Sequence, residues 1–211
     1  MTENIDLKAL EKKAYRSIFE DGIWDLFLGI LILNFGLAPL FGLFINLPEF
    51  WNVIIPSLII CIFAFLVFYL GKKYITIPRI GFVKFGPIRK SKQFKLKIFL
   101  AVVFIANVIL LILPLTDLIN YSQIQPLIIS LMLGLGGLTL PFCVVAYFLD
   151  FTRLYYYAFS IGFAFFILEF LTPILGYPLE TIIIFSIIGG IIVLIGLNYF
   201  IRFLKKYPLS K

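Results

Sequence analysis

The sequence predicts an all-α integral membrane protein, a bundle of six transmembrane helices with both termini in the cytoplasm. Apolar residues make up 62% of the 211 residues, charged residues make up 14%, and the mean hydropathy is +1.09. Soluble domains have about 45–50% apolar and about 25% charged residues. The apolar residues form six stretches, each near the length of about 20 residues that crosses a hydrocarbon core of about 30 Å. The basic residues occupy only alternate gaps between these stretches.

The distribution of charge predicts the orientation of the chain. Of the 18 lysines and arginines, four precede the first stretch, nine lie between the second and third, one follows the fourth and four follow the sixth. The other gaps contain Glu49, Asp117 and Glu180 but no cation. Cytoplasmic loops collect Lys and Arg because positive segments resist translocation. We therefore expect a multi-pass protein of the cell membrane with both termini inside.

The predicted elements begin with an amphipathic cytoplasmic segment over residues 1–21. Ile5, Leu10, Ala14 and Ile18 recur there at helical spacing. This segment either lies in the headgroup interface or simply extends the first span into the cytosol. The six predicted transmembrane helices are 22–44, 52–70, 99–115, 125–149, 155–175 and 181–203.

Aromatic, proline and small residues characterise individual spans. Trp24 and Trp51 lie near opposite ends of the first hairpin, as interfacial anchors do. The fourth span lies within an uncharged stretch, residues 118–149, that is longer than a straight crossing needs and contains Pro141, so we expect a tilt or a kink there. Small residues that allow close helix packing are Gly134 with Gly137, Ser186 with Gly190, Gly189 with Gly190, and Gly196.

The basic inner loop, residues 71–98, is rich in β-branched and aromatic residues bounded by Gly and Pro. This composition is typical of a short extended ribbon, which we expect to dock against the bundle or the lipid headgroups. The residues of this loop that we expect to contact lipid or a partner protein are Arg79, Lys84, Arg89 and Lys90.

Two segments resemble a known group of proteins. The run Ile-Thr-Ile-Pro-Arg-Ile-Gly-Phe-Val-Lys-Phe, residues 75–85, and the run Glu-Asp-Gly-Ile-Trp, residues 20–24, resemble sequences in uncharacterised small prokaryotic multi-span membrane proteins. The two runs together comprise 16 of the 211 residues. It implies a membrane protein and assigns no activity to any residue.

Glu169 is an acidic residue within the fifth predicted span, between Leu168 and Phe170. A charge at the centre of a transmembrane helix costs about 2.5–3.5 kcal/mol on insertion scales, so such residues are functional candidates by default. Glu169 lies nearer the outer end, where the cost is smaller. It is either a proton or cation site or a hydrogen-bonded structural residue.

Asp21 and Asp25 form a second acidic candidate site at the inner end of the first span. They are four residues apart and share a helix face, so their like charges call for a cationic partner. Arg16, Arg79 or Lys84 is the expected partner. The pair either caps the helix amino terminus or forms an entry site for a proton or metal ion.

Several chemistries lack support in the sequence. The chain has no histidine, and its two cysteines, Cys61 and Cys143, each lie in an apolar stretch. We therefore predict no metal site, no cofactor and no catalytic residue. The net charge of +7 is explained by membrane orientation, so anionic inner-leaflet lipids rather than nucleic acid are the expected partners.

Three functions remain compatible with these features. The favoured one is a structural or interaction protein whose basic cytoplasmic face engages inner-leaflet lipid or a partner protein. The second is a small transporter or channel for a cation or proton that uses Glu169 or the pair Asp21 and Asp25. The third is a membrane enzyme that modifies lipid, with carboxylate, Lys or Tyr as its only available bases.

Overall fold

A computed structural model describes Glu11 and residues 14–44, 48–81, 86–112 and 125–208. Regular structure in these residues is entirely helical, which confirms the all-α prediction. We number the α-helices in chain order. They are α1 (Ile23–Gly42), α2 (Glu49–Leu70), α3 (Ile77–Ile80), α4 (Pro87–Ile112), α5 (Pro126–Leu131), α6 (Leu140–Leu149), α7 (Arg153–Leu175) and α8 (Leu179–Lys206).

Five helical segments are long and apolar enough to cross a membrane, and each overlaps a predicted span. They are Ile23–Gly42, Trp51–Ile80, Pro126–Leu149, Arg153–Leu175 and Leu179–Lys206. Most of the large apolar side chains on α2 are exposed on the protein surface, Ile59 to 62% and Phe65 to 60%. A hydrocarbon environment covers such a surface without the cost that water would impose.

Two of these segments are interrupted by π-helical turns, and a proline follows each turn. Gly71–Thr76 is π-helical and precedes Pro78, and Met132–Thr139 is π-helical and precedes Pro141. Proline has no N–H and its ring displaces the carbonyl four residues earlier, so the chain widens its turn there. The irregularity expected at Pro141 therefore takes the form of a π-helical segment.

The chain forms two compact units, of which the first comprises residues 1–84 and 175–211. Its centre is the antiparallel packing of α1 against α8. Glycines permit a close approach of the two backbones: a Cβ added at Gly29 would lie 2.8 Å from the Val193 nitrogen, and one at Gly189 would lie 2.6 Å from the Leu33 nitrogen. Aromatic rings join α1 to α2, with Trp24 and Phe68 centroids 4.7 Å apart.

The amino-terminal segment packs onto this first unit. Tyr15 and Phe19 are buried, at 4% and 5% exposure, and the rings of Phe19 and Trp24 are 5.8 Å apart. Trp24 was expected as an interfacial anchor, and in the structure its ring packs among other rings. The four apolar positions of the predicted amphipathic segment lie partly in residues 1–10, outside the described part of the chain.

The second unit, residues 85–174, contains α4 to α7. Close packing between the π-helical segment and α7 depends on Gly134 and Gly162, because a Cβ on Gly162 would collide with the Thr139 hydroxyl. That hydroxyl donates to the Gly134 carbonyl at 3.0 Å and to the Ala158 carbonyl at 3.1 Å. Thr139 thus ties the π-helical segment to α7.

The extended ribbon expected within residues 71–98 is not confirmed. Residues 71–80 and 87–98 are helical, and residues 82–85 lie outside the described part. Pro87 falls in the first turn of α4, where the missing N–H costs nothing. Pro78 lies in a helix that continues from α2 through the π-helical turn. Helical backbone therefore occupies positions where the composition indicates strands.

Candidate functional site: buried ion pairs and exposed lysines

Asp21 is fully buried in the first unit and is surrounded by donors. Lys72 Nζ lies 2.6 Å from its Oδ2, and Thr76 Oγ1 lies 2.5 Å from the same oxygen. The Ile23 nitrogen donates to Oδ1 at 3.1 Å. Lys72 also donates to the Ile18 carbonyl at 2.7 Å. The ion pair therefore joins the segment before α1 to the π-helical turn after α2.

Two glycines allow this arrangement. Gly22 has φ of 71°, a left-handed conformation that glycine adopts without steric penalty. The chain therefore turns between Asp21 and α1, and the Asp21 carboxylate accepts from the first N–H of that helix. A Cβ on Gly71 would lie 2.9 Å from Ile23 Cδ1, so the π-helical turn rests directly on the start of α1.

Asp25 is also fully buried. A Cβ added to Gly196 of α8 would lie 3.1 Å from Asp25 Cβ, which places this side chain at the packed face between α1 and α8. Its carboxylate attracts the Lys72 ammonium electrostatically. Of the two predicted acids, Asp21 bonds Lys72 directly.

The cationic partner of Asp21 differs from the expected residues. Arg16 is exposed, Arg79 donates to the carbonyl of Ile75 at 3.0 Å, and Lys84 lies outside the described residues. In the sequence, Lys72 lies two residues after the end of α2, closer to it than Arg16, Arg79 or Lys84. It reaches Asp21 because Gly71 lets the two helices approach closely at that point.

Arg89 forms the corresponding buried ion pair of the second unit. Its Nη1 lies 2.8 Å from Asp150 Oδ2, and the arginine is only 5% exposed. Asp150 has φ of 52° at the carboxyl end of α6, where the chain turns toward α7. We expected Arg89 to face lipid or a partner, and instead it holds a turn, because an inward-facing arginine needs a carboxylate. Asp150 was not among the predicted site residues.

Glu169 is half-buried within the second unit. Its Oε2 accepts a hydrogen bond from Ser130 Oγ at 3.0 Å, which links α7 to α5. This geometry matches the structural alternative that we considered for Glu169. The Ser130 partner lies 39 residues away in the chain, so no local pattern identifies it.

Two further buried polar groups in the first unit were not predicted as site residues. Glu180 lies in the first turn of α8 with 4% exposure, and its Oε2 has no hydrogen-bond partner among the described residues. An acid suits the helix amino terminus, where the dipole is positive. Asn34 Nδ2 donates to Ser57 Oγ at 2.7 Å and so links α1 to α2.

Most other described cations remain on the surface. Lys206 pairs with Glu20 at 3.3 Å, but both side chains are at least half exposed, and such pairs contribute about 0–1 kcal/mol. The exposed cations of the first unit are Arg16, Lys73, Arg202, Lys205 and Lys206, and those of the second unit are Lys90, Lys92, Lys95 and Lys97.

Comparison with known proteins returned no match: no family model, no curated protein and no solved structure matches this chain. The resemblance of residues 75–85 and 20–24 to small prokaryotic membrane proteins therefore stays a prediction.

Proposed function

We propose that this chain is a six-span protein of the cell membrane, with both termini in the cytoplasm, and that it acts as a structural or interaction protein. The proposed third span is the apolar part of α4, which follows Lys97 and continues in the sequence to Leu115. Six crossings place every cation on the cytoplasmic side, as the positive-inside rule requires. The partner that we propose is the anionic lipid of the inner leaflet.

The observation that supports this proposal most strongly is the separation of buried and exposed charge. Asp21 and Asp150 are paired with Lys72 and Arg89 inside the protein. Each pair buries one acid with one cation, so the surface charge comes from the other residues. Among the described residues, five exposed cations accompany one exposed acid, Glu20, in the first unit, and four exposed cations accompany no exposed acid in the second. The proposed cytoplasmic face therefore carries net positive charge.

A positive face of this kind has a natural ligand in the membrane itself. Each Lys or Arg near an anionic inner leaflet contributes about 1 kcal/mol of attraction, which fades within a Debye length. The Debye length is about 10 Å at 0.1 M salt and about 3 Å at 1 M salt. Binding of this origin should therefore depend strongly on ionic strength.

The transporter alternative has less support from the geometry. Asp21 accepts from Lys72 and Thr76, and Glu169 accepts from Ser130. At Asp21 a permeating cation would have to compete with the Lys72 ammonium, and Glu169 is tied to α5 by its hydrogen bond with Ser130. Cation or proton flux in liposomes that is abolished by Glu169→Gln would nevertheless overturn the proposed function.

The proposal predicts a salt-sensitive stabilisation by anionic lipid. Protein reconstituted in vesicles with phosphatidylglycerol should unfold at a higher temperature than in phosphatidylcholine vesicles with the same acyl chains. The difference should shrink at about 1 M salt, where exposed charges are screened. Loss of helical circular dichroism on heating measures it. Equal unfolding temperatures at low salt, or a difference unchanged by salt, would contradict the proposal.

A further inference from the structure

The amino-terminal part of α4 carries the largest group of exposed cations on any one helix in the described residues. Lys90, Lys92, Lys95 and Lys97 are all exposed within eight residues, and α4 contains no acidic residue. The remaining cation at this end of the helix, Arg89, is buried against Asp150. The four lysines thus lie at the surface of a helix segment without acidic residues.

These lysines flank an apolar stripe. Successive residues of an α-helix are 100° apart, so Phe94 and Ile98 share one face, and they are exposed to 64% and 51%. Arg89 and Leu96 lie on the opposite face, and both are buried. Lys90, Lys95 and Lys97 border the exposed stripe, and Lys92 lies closer to the face of Leu96.

The same spacing divides the lysines into two pairs. Lys90 and Lys97 are seven residues apart and lie on one side of the stripe. Lys92 and Lys95 lie on the other side, three residues apart. The apolar stripe thus has positive charge along both edges.

The lysine cluster is somewhat longer along the helix than the lipid headgroup layer is thick. A helix rises 1.5 Å per residue, so Lys90 to Lys97 span about 10 Å. The headgroup region of one leaflet is about 5–7 Å thick. Apolar residues with high exposure follow at once, Val102 at 59% and Phe104 at 69%. Lysine stems lying along an apolar surface can extend their ammonium groups to the phosphate level.

We propose that this part of α4 is a binding site for anionic phospholipid, with Phe94 and Ile98 against acyl chains and the two lysine pairs against headgroup phosphates. The occupant is an inner-leaflet phospholipid with a net negative headgroup. The positive charge of the four lysines complements a negative headgroup. The site also adjoins the exposed apolar surface of α4, which we propose faces the membrane. The inference rests on the proposed function and localises it to one helix.

The test counts bound lipid on the detergent-solubilised protein by native mass spectrometry, with phosphatidylglycerol and phosphatidylcholine as probes. Changing Lys90, Lys92, Lys95 and Lys97 together to Gln should weaken phosphatidylglycerol binding at least tenfold, since each basic residue near the surface contributes about fivefold. Lys→Arg at the same four positions should retain binding. If the four-Gln variant does not fold, the variants Lys90→Gln with Lys97→Gln and Lys92→Gln with Lys95→Gln replace it.

A matched control removes four exposed cations of the first unit instead, namely Arg16, Lys73, Arg202 and Lys205, each changed to Gln. This control should retain at least half of the binding. If the control variant loses as much phosphatidylglycerol binding as the α4 variant, or more, the proposed binding site on α4 is wrong. The proposed function, binding of anionic lipid by the basic face, would still hold. If the wild-type protein shows no preference for phosphatidylglycerol over phosphatidylcholine, both proposals fall.

Discussion

Lys72→Met should destabilise the protein by about 3–5 kcal/mol, because it leaves the Asp21 carboxylate buried without its cation. Asp21 is fully buried, and the Lys72 side chain is only 17% exposed. Thr76 and the Ile23 nitrogen would still donate to the carboxylate, but neither carries a charge. The measurement is the free energy of unfolding of the detergent-solubilised protein in an SDS titration.

Two further variants show whether the loss comes from the ion pair. Lys73→Met removes the neighbouring exposed lysine and should change the free energy of unfolding by less than about 0.5 kcal/mol. Combining Asp21→Asn with Lys72→Met should recover part of the loss, since a neutral pair avoids the buried charge. If Lys72→Met is as stable as Lys73→Met, the ion pair between Asp21 and Lys72 does not stabilise the fold.

Gly22→Ala should have the second large effect, a loss of about 2–5 kcal/mol. An L-residue in the left-handed conformation costs about 1–2 kcal/mol, and Gly22 has φ of 71°. The added Cβ would also meet the Gly196 carbonyl and lie 2.7 Å from the Phe200 nitrogen, and overpacking costs about 1–3 kcal/mol. The same SDS titration measures this loss.

Gly190→Ala is the matched control for this substitution. A Cβ at Gly190 would have nothing within 4 Å, although Gly190 adjoins a glycine of the α1–α8 contact. Its free energy of unfolding should stay within about 0.5 kcal/mol of the wild type. Equal losses for the two alanine variants would contradict the packing of α1 on α8.

Hydropathy and the distribution of cations predicted the helical class and the positions of the five membrane-length helices. These features depend on short segments of chain and on composition, which a sequence displays directly. The extended ribbon was predicted from β-branched residues beside Gly and Pro. The described part of that loop is helical, because the helix from α2 continues through a π-helical turn past Pro78 and Pro87 falls in the first turn of α4.

The partners of the buried charges were beyond the reach of local sequence patterns. Lys72 is 51 residues from Asp21, and Arg89 is 61 residues from Asp150. Pairing over such distances depends on which helices pack together, and the net charge of a loop does not specify that. For this reason Arg89 was predicted to lie on a surface that contacts lipid, whereas in the structure it is buried against Asp150.

One overlooked sequence pattern indicates the central helix contact. Gly22, Gly29 and Gly36 recur every seven residues, as do Gly189 and Gly196. Seven residues make about two helical turns, so each set lies on one face. The sequence analysis predicts close helix packing at Gly190 together with Ser186 and Gly189, but a Cβ added at Gly190 would have no atom within 4 Å. The seven-residue spacing identifies the packed face, whereas adjacency of glycines does not.

Labelling from outside intact cells tests the central claim, that the lysine-bearing end of the protein faces the cytoplasm. In a background with Cys61→Ala and Cys143→Ala, the variants Lys90→Cys and Tyr177→Cys carry single thiols at exposed positions. A membrane-impermeant maleimide should label Tyr177→Cys in intact cells and Lys90→Cys only after lysis. Labelling of Lys90→Cys in intact cells would contradict the account.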